Sequence, residues 1–546
     1  VVAGYTPAFA EDRVGYGLWF AAWVGCAGSA PEVPAVVNPP DSDVAEDSAP
    51  AAPVAWRSAL YPADWAPGFA VGDASLPDFS YAGWHNGEGA PPSPPVDRVV
   101  EGGDPTGLAD STAAIQAALD LGGVVRLPAG TWRVDGLLTV ATSGTVLRGD
   151  GPDATFVHFT AATGMEGVAN LTFAGASRQG TDRPLAVDGA AGSREVTLTD
   201  PAGLAVGDDV LVGWTITPAF IEAHGMTGVW AVSADRWRPF FRRTVVAIDG
   251  DRVTLDVPLR YPALLRDGAS PRVETGALRD VGLEGLAVSS AVDPTAAWTA
   301  DRSHAVALVG VTDGFVRDVV SWSPPGADDG DHLQSGGLLV QQSKRVTVSD
   351  VHLAEAQNRG EGGNGYLFEV MQSAEVLIAD CTARAGRHNF IQNWDFGTSG
   401  VVFLRTVSTE GQALTSRTGS IRTVGASEFH HSLAMANLID HSVTDDAWKA
   451  ANRGSYSSGA GHSATQTVFW NTAGAGALSS YQFGLGYVIG TTGLTVNTAI
   501  TVWPETSGSE PEDWAEGVDA GGTLEPASLY EDQLARRLAR GEVRWP

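Results

Sequence analysis

A repeated octet constrains this chain more than any other feature. VGLEGLAV (281 to 288), GFVRDVVS (314 to 321), VTVSDVHL (346 to 353), VLIADCTA (376 to 383), VVFLRTVS (401 to 408) and TVFWNTAG (467 to 474) can be laid under one another, and the first five begin 33, 32, 30 and 25 residues apart. Apolar residues alternate inward along each, the period of a strand with a buried face. One unit of this length cannot bury that face alone, whereas stacked copies can, so the pattern predicts a parallel β-solenoid with loops of variable length. Three octets carry aspartate at the fifth position, Asp318, Asp350 and Asp380. That column reads as a solvated corner or a hydrogen-bonded ladder, with calcium as the alternative. Cys381 follows one corner and reads as a small buried residue.

The stretch DSTAAIQAALD (110 to 120) precedes the strands and has helical spacing, with Asp110 or Ser111 as N-cap, Ile115 and Leu119 on one face, and Gly122 and Gly123 as the stop. A helix at this point covers the open end of a stack. Between about 160 and 275 the rhythm breaks. REVTLTD, VGDDVLVGW and TVVAIDGDRVTLDV, which turns at Asp249 and Gly250, predict a small antiparallel β insertion. Its Trp214, Trp230, Trp237 and Tyr261 form either its own core or the wall of a cleft.

The apolar stretch 14 to 25 ends at Cys26 and resembles a bacterial lipoprotein signal and anchor over 1 to 26; it is too short to span a bilayer. Residues 27 to 60 follow as a Pro-, Ala- and acid-rich linker, leaving 61 to 546 for the solenoid. The expectation is an exported protein, extracellular or held at the cell surface through Cys26. With 64 acidic against 34 basic residues the net charge is -30, a field that repels nucleic acid and anionic lipid. Only two cysteines occur, so a disulfide framework and a Cys-rich zinc site are both excluded.

The segment DSTAAIQAALDLGGVVRLPAGTWRVDGLLTVATSGTVLRGDG (110 to 151) closely resembles the N-terminal cap and first coils of the pectate-lyase superfamily. DFSYAGW (78 to 84) and SLYEDQLARRL (528 to 538) resemble the flanks of its bacterial members. The resemblance implies an all-β, right-handed parallel β-helix with an N-terminal capping helix and a polysaccharide as partner. It does not choose a reaction, because that superfamily holds polysaccharide lyases, glycoside hydrolases, epimerases and noncatalytic adhesins.

Chemistry concentrates late in the chain. Of 11 histidines, His388, His430, His431, His441 and His462 fall within 75 residues, among Arg387, Asp395, Glu428, Asp440, Asp445, Asp446, Lys449 and Arg453. Coils stack about 4.8 Å apart, so residues one repeat apart become neighbours. β-Elimination from a uronate needs a neutralised carboxylate, a base and an acid; Arg387 or Arg453 with His388, His431 or His462 are the candidates. Hydrolysis needs two carboxyls, for which Asp395 with Glu428, or Asp440 with Asp446, are the candidates. Arg387, Trp394, Asn452, Trp470 and Gln482 are assigned to substrate binding. His430 and His431 are adjacent on a predicted strand, so one at most faces a groove.

No two histidines have the i, i+4 spacing of a helical zinc motif, and no metal site is assigned. GADDGDHLQSGG (326 to 337), with Asp328, Asp329, Asp331 and His332, lacks the full calcium-loop pattern and reads as an acidic loop. Glu361, Asn364 and Glu369 of EGGNGYLFE are further substrate contacts. The leading expectation is a monomeric exported enzyme that cleaves a polysaccharide between residues 386 and 482. A lyase ranks just ahead of a hydrolase, and a noncatalytic glycan-binding or adhesive β-helix is the alternative. No cofactor is required, calcium being the one ion admitted.

Overall fold

A computed structural model describes residues 54–327, 331–498 and 509–542. The octets pair side by side in parallel register. Val281 lies opposite Gly314, Gly314 opposite Val346, and Leu377 opposite both Thr347 and Val402. One coil escapes the octet alignment: Leu438 pairs with Val402 on one side and Val468 on the other. At the fifth position the backbone is left-handed in coil after coil, with φ of 66° at Gly285, 53° at Asp318, 52° at Asp350, 56° at Asp380, 49° at Arg405, 50° at His441 and 49° at Asn471. This bend turns each octet from one face of the helix to the next. Glycine, aspartate and asparagine tolerate it best, which is the physical reason for the aspartate column. Arg405 donates to both Asp380 oxygens, at 2.6 and 2.8 Å.

Strands on both sides of the bend make a 17-stranded sheet, and a 10-stranded sheet from Leu138–Val140 to Thr495–Asn497 closes the third face. The result is a right-handed parallel β-helix. Its core is a file of stacked residues from successive coils: Leu283, Val316, Val348, Ile378, Phe403, Ile439, Phe469 and Val488. Burying each is worth roughly 1.5–3 kcal/mol relative to exposure. Cys381 is fully buried in the same core.

Helix Thr112–Asp120 caps the first coil, burying Ile115 and Leu119 in that core. Ser111 is the N-cap residue and makes no side-chain cap bond, while Asp110 before it accepts from the Thr112 N–H at 2.9 Å. Helix Leu529–Arg540 closes the molecule on another side. Its N-terminal N–H groups at Leu529 and Tyr530, together with the Ser528 hydroxyl, donate to buried Asp440. The folded part begins before residue 61: Trp56 pairs with Leu524, and Leu60 is fully buried. The anchor at Cys26, the linker up to residue 53, and Asp328 and Asp329 lie outside the described residues. Among those described, no helix is long and apolar enough to cross a membrane.

The insertion is a 6-stranded antiparallel sheet running from Arg178–Gln179 to Ser270–Thr275. Strand Ala169–Ala174, which the sequence groups with it, belongs instead to the third face of the helix. Trp214 and Trp230 are buried within the insertion, Trp214 stacked 3.7 Å from Phe240. The same apolar cluster takes in Phe396, Leu433 and Met435 of the β-helix, so the two parts share one core. Buried ion pairs line another part of this seam. Lys344 Nζ donates to Asp209 at 2.5 Å, while Arg345 binds Asp313 at 2.8 Å and Asp256 at 3.2 Å.

Candidate functional site

The third sheet sets the site through strand alternation. Phe368, Phe390, Phe429 and Trp448 enter the core, so their neighbours Glu369, Ile391, Glu428 and Lys449 go to the outer side, in register across four strands. Two strand spacings separate Glu369 from Glu428, about 10 Å of backbone. Lys449 is exposed, whereas Glu369 and Glu428 are buried, Glu428 beneath the chain that follows Lys449.

Glu428 is the hub. Arg453 Nη1 donates to both of its oxygens at 3.0 Å, His430 Nδ1 contacts Oε1, and His388 Nε2 stands 3.6 Å from the same oxygen. Burial pushes this carboxyl up, but Arg453, His388 and His430 outweigh it and hold it well below its ordinary range. Burial in turn drives His388 down to about 3 and lowers His430 as well. His388 Nδ1 faces the Ala426 carbonyl, which only accepts, so Nδ1 carries the ring proton and Nε2 presents a lone pair. That Nε2 is buried with no hydrogen-bond partner among the described residues. Tyr366 packs against the His388 ring at 5.1 Å and the His430 ring at 6.5 Å, its phenol raised by burial to about 12. His388, Glu428 and His430 offer ligand atoms within 4.8 Å of one another, a spacing that a divalent cation accepts. Arg453 already balances the carboxylate charge there.

A second cluster stands beside the first. Fully buried Glu369 contacts His304 Nε2 at 2.8 Å, accepts from Asn393 Nδ2 at 2.8 Å, and lies 3.9 Å from Arg302. His431 and Trp394 sit with it, ring centroids 4.4 Å apart, and burial drives His431 well below its usual value. His430 and His431 do not diverge as strand alternation predicts. The strand ends at Phe429, and beyond it the two rings lie 5.4 Å apart.

Of the residues proposed from sequence, His388, Glu428 and Arg453 meet in the first cluster; His431 packs on its His430, and Trp394 packs on His431. Arg387 borders it, half-buried, donating to the Gly360 carbonyl at 2.7 Å. Asp395 is instead paired with Arg238 of the insertion at 2.9 Å. Asp446 accepts from Ser408 and Asn389, and Asp440 holds the C-terminal helix, so these two carboxyls serve separate networks. Asn452 accepts from the Gly454 N–H in a tight turn. Trp470 is fully buried and donates to the Pro526 carbonyl, and Gln482 is bound to Thr467 and Ser480 inside the stack.

His462 packs on Phe483 at 5.1 Å and feels His224 of the insertion. Burial brings both His224 and His462 down to about 4. The fold therefore keeps them neutral, while the unfolded chain takes up protons below 6.5. Their stabilisation is complete above pH 6.5 and is lost as pH falls toward 4, several kcal/mol in all. Urea unfolding midpoints measured across that window are expected to drop on acidification, and the drop is expected to shrink in a His224→Gln, His462→Gln double variant.

Sequence reasoning missed His304, Arg302 and Tyr366, which lie in coils before residue 386. Only strand register brings them alongside Glu428. No family model matches this chain, and no curated protein matches it. Among solved structures it is similar to the tailspike of Pseudomonas phage phi297, at 15% identity over 71% of this chain and 68% of that one, with a TM-score of 0.38. It is also similar to the tailspike of Acinetobacter baumannii bacteriophage AP22, solved with A. baumannii capsular saccharide, at 9% identity over 76% of this chain and 74% of that one, TM-score 0.27. The A-module of the Azotobacter vinelandii mannuronan C-5 epimerase AlgE4 matches at 12% identity over 77% of this chain and 96% of that one, TM-score 0.26. These likenesses carry no activity to this chain. The parallel register and capping helix define the fold on their own. The fold is a right-handed parallel β-helix.

Proposed function

We propose that this chain acts on a polysaccharide laid across the outer side of the third sheet, cleaving it by β-elimination at a uronate. One observation carries the reading: His388 Nε2 is a buried lone pair with no partner among the described residues, beside a carboxylate held ionised. His388 is the base that removes the proton next to the uronate carboxyl group. Tyr366, protonated at neutral pH and packed against the same ring, is the acid for the leaving oxygen. Glu428 and Arg453 fix the ring positions and the local charge. Hydrolysis is less well supported, because it needs a carboxylic acid that keeps its proton, and both Glu428 and Glu369 are held below their ordinary values.

The test is to incubate the protein with acidic and neutral polysaccharides, with and without calcium, recording absorbance of unsaturated uronate together with new reducing ends. Both signals on a uronate polymer are expected; reducing ends alone sink elimination, and binding without either makes the protein a glycan-binding β-helix. The base also sets a pH signature. With His388 at about 3, the acid limb of kcat/KM is expected near there and not at the ordinary 6.5 of histidine.

A further inference from the structure

Glu369 and His304 lie outside the chemistry just assigned, yet they are built with care. His304 Nδ1 is 3.1 Å from the Arg302 carbonyl and Nε2 is 2.8 Å from Glu369 Oε2. Both ring nitrogens therefore face oxygen atoms, and the ring is held from two sides. The His304 ring fills the space a side chain would take at Gly336, its register partner, where an added Cβ would collide with the ring. The other Glu369 oxygen receives Asn393 Nδ2 at 2.8 Å.

Asn393 opens a turn whose next two residues, Trp394 and Asp395, are left-handed, with φ of 48° and 68°. Such a turn persists only where its surroundings hold it. Insertion residue Arg238 grips it through Asp395, and Glu369 grips it through Asn393. The turn carries the half-exposed Trp394. Around that indole, Asn393 Oδ1 and His431 Nε2 are buried without hydrogen-bond partners among the described residues. Buried polar atoms are seldom left without a partner, and here one belongs to the residue before Trp394 and the other to the imidazole packed on its ring.

We propose that the Glu369–His304 pair, acting through Asn393, sets Trp394 as a stacking platform for the sugar next to the one that reacts, with Asn393 Oδ1 and His431 Nε2 as contacts for its hydroxyls. Glu369 and His304 are positioning residues, and the ligand is a pyranose ring that lays its C–H face on the indole. This inference rests on the glycan reading above and adds a subsite to it.

The test uses the full chain with hexasaccharides of galacturonate, mannuronate, glucuronate and glucose, and with the matching disaccharides. Dissociation constants come from calorimetry, and KM and kcat from unsaturated-uronate absorbance. Glu369→Gln withdraws the carboxylate charge that lies between His304 and Asn393, and it is expected to weaken hexasaccharide binding and raise KM about tenfold while kcat stays within about threefold. Trp394→Leu should do the same, and combining the two should add little. Wild-type fluorescence is expected to change on hexasaccharide binding, and the change should disappear in both variants. If Glu369→Gln fails to fold, Trp394→Leu with His304→Gln carries the test. Variants that bind and turn over like wild type, or that lose kcat at unchanged KM, overturn the subsite and leave the proposed function standing. A wild-type protein that binds none of the sugars overturns both.

Discussion

Arg345→Met is expected to cost about 3–5 kcal/mol of stability, because it strands buried carboxylates that have no access to water. Arg345 is buried on the outer side of the first face, with Nε and Nη2 on the two Asp313 oxygens at 2.8 Å and Nη1 within reach of Asp256 and Thr244. Asp313 and Asp256 are themselves buried. Asp256 belongs to the insertion sheet, where it accepts from the Thr244 N–H at 2.7 Å, so the guanidinium ties insertion to helix. Chemical denaturation should show the loss as a lower midpoint. Thermolysin digestion near pH 7 should open the insertion before the stack, since the stack keeps its own core. A variant within about 0.5 kcal/mol of wild type would mean that water already reaches these carboxylates.

Removing the hub of the site is the second large effect. Glu428→Gln is expected to lower kcat on a cleavable uronate polymer about 10²–10⁴-fold, the range of a lost acid–base group, because the base His388 loses the carboxylate that fixes its surroundings. The amide keeps an oxygen for His430 but withdraws the charge that Arg453 and both imidazoles face. His388→Gln should lose the same activity for a different reason, the missing lone pair, and with less effect on stability, because no charge is stranded. Unsaturated-uronate absorbance gives the rates and thermal melting the stabilities. Activity within tenfold of wild type in His388→Gln would transfer the base elsewhere, and His431, with its own unpartnered Nε2, would be the next variant. The two kinetic losses should not add in the double variant, as expected for groups that act as a unit.

The octets alone determined the solenoid. Their spacing and alternation are local properties of the chain, and a side chain that must face a core every second residue leaves few other arrangements. The capping helix was legible for the same reason, since Ile115 and Leu119 lie one turn apart and Gly122 ends it. The histidine-rich stretch pointed toward His388, Glu428 and Arg453, which are one coil apart and so near neighbours in any stacked structure.

The rest was decided by register and by loops. His304 lies more than a hundred residues before Glu428 in sequence, and it reaches the site only because each coil advances about 4.8 Å whatever its loop length. Tyr366 and Glu369 arrive the same way. Loop geometry cannot be read from spacing: His430 and His431 come together because the strand stops at Phe429, and Trp470 and Gln482 are taken into the stack by neighbouring coils. Burial made the final distinction. The same residue types titrate and bind differently according to which chain segment covers them, and that cover, the insertion and the turns it grips, exists only in the folded molecule.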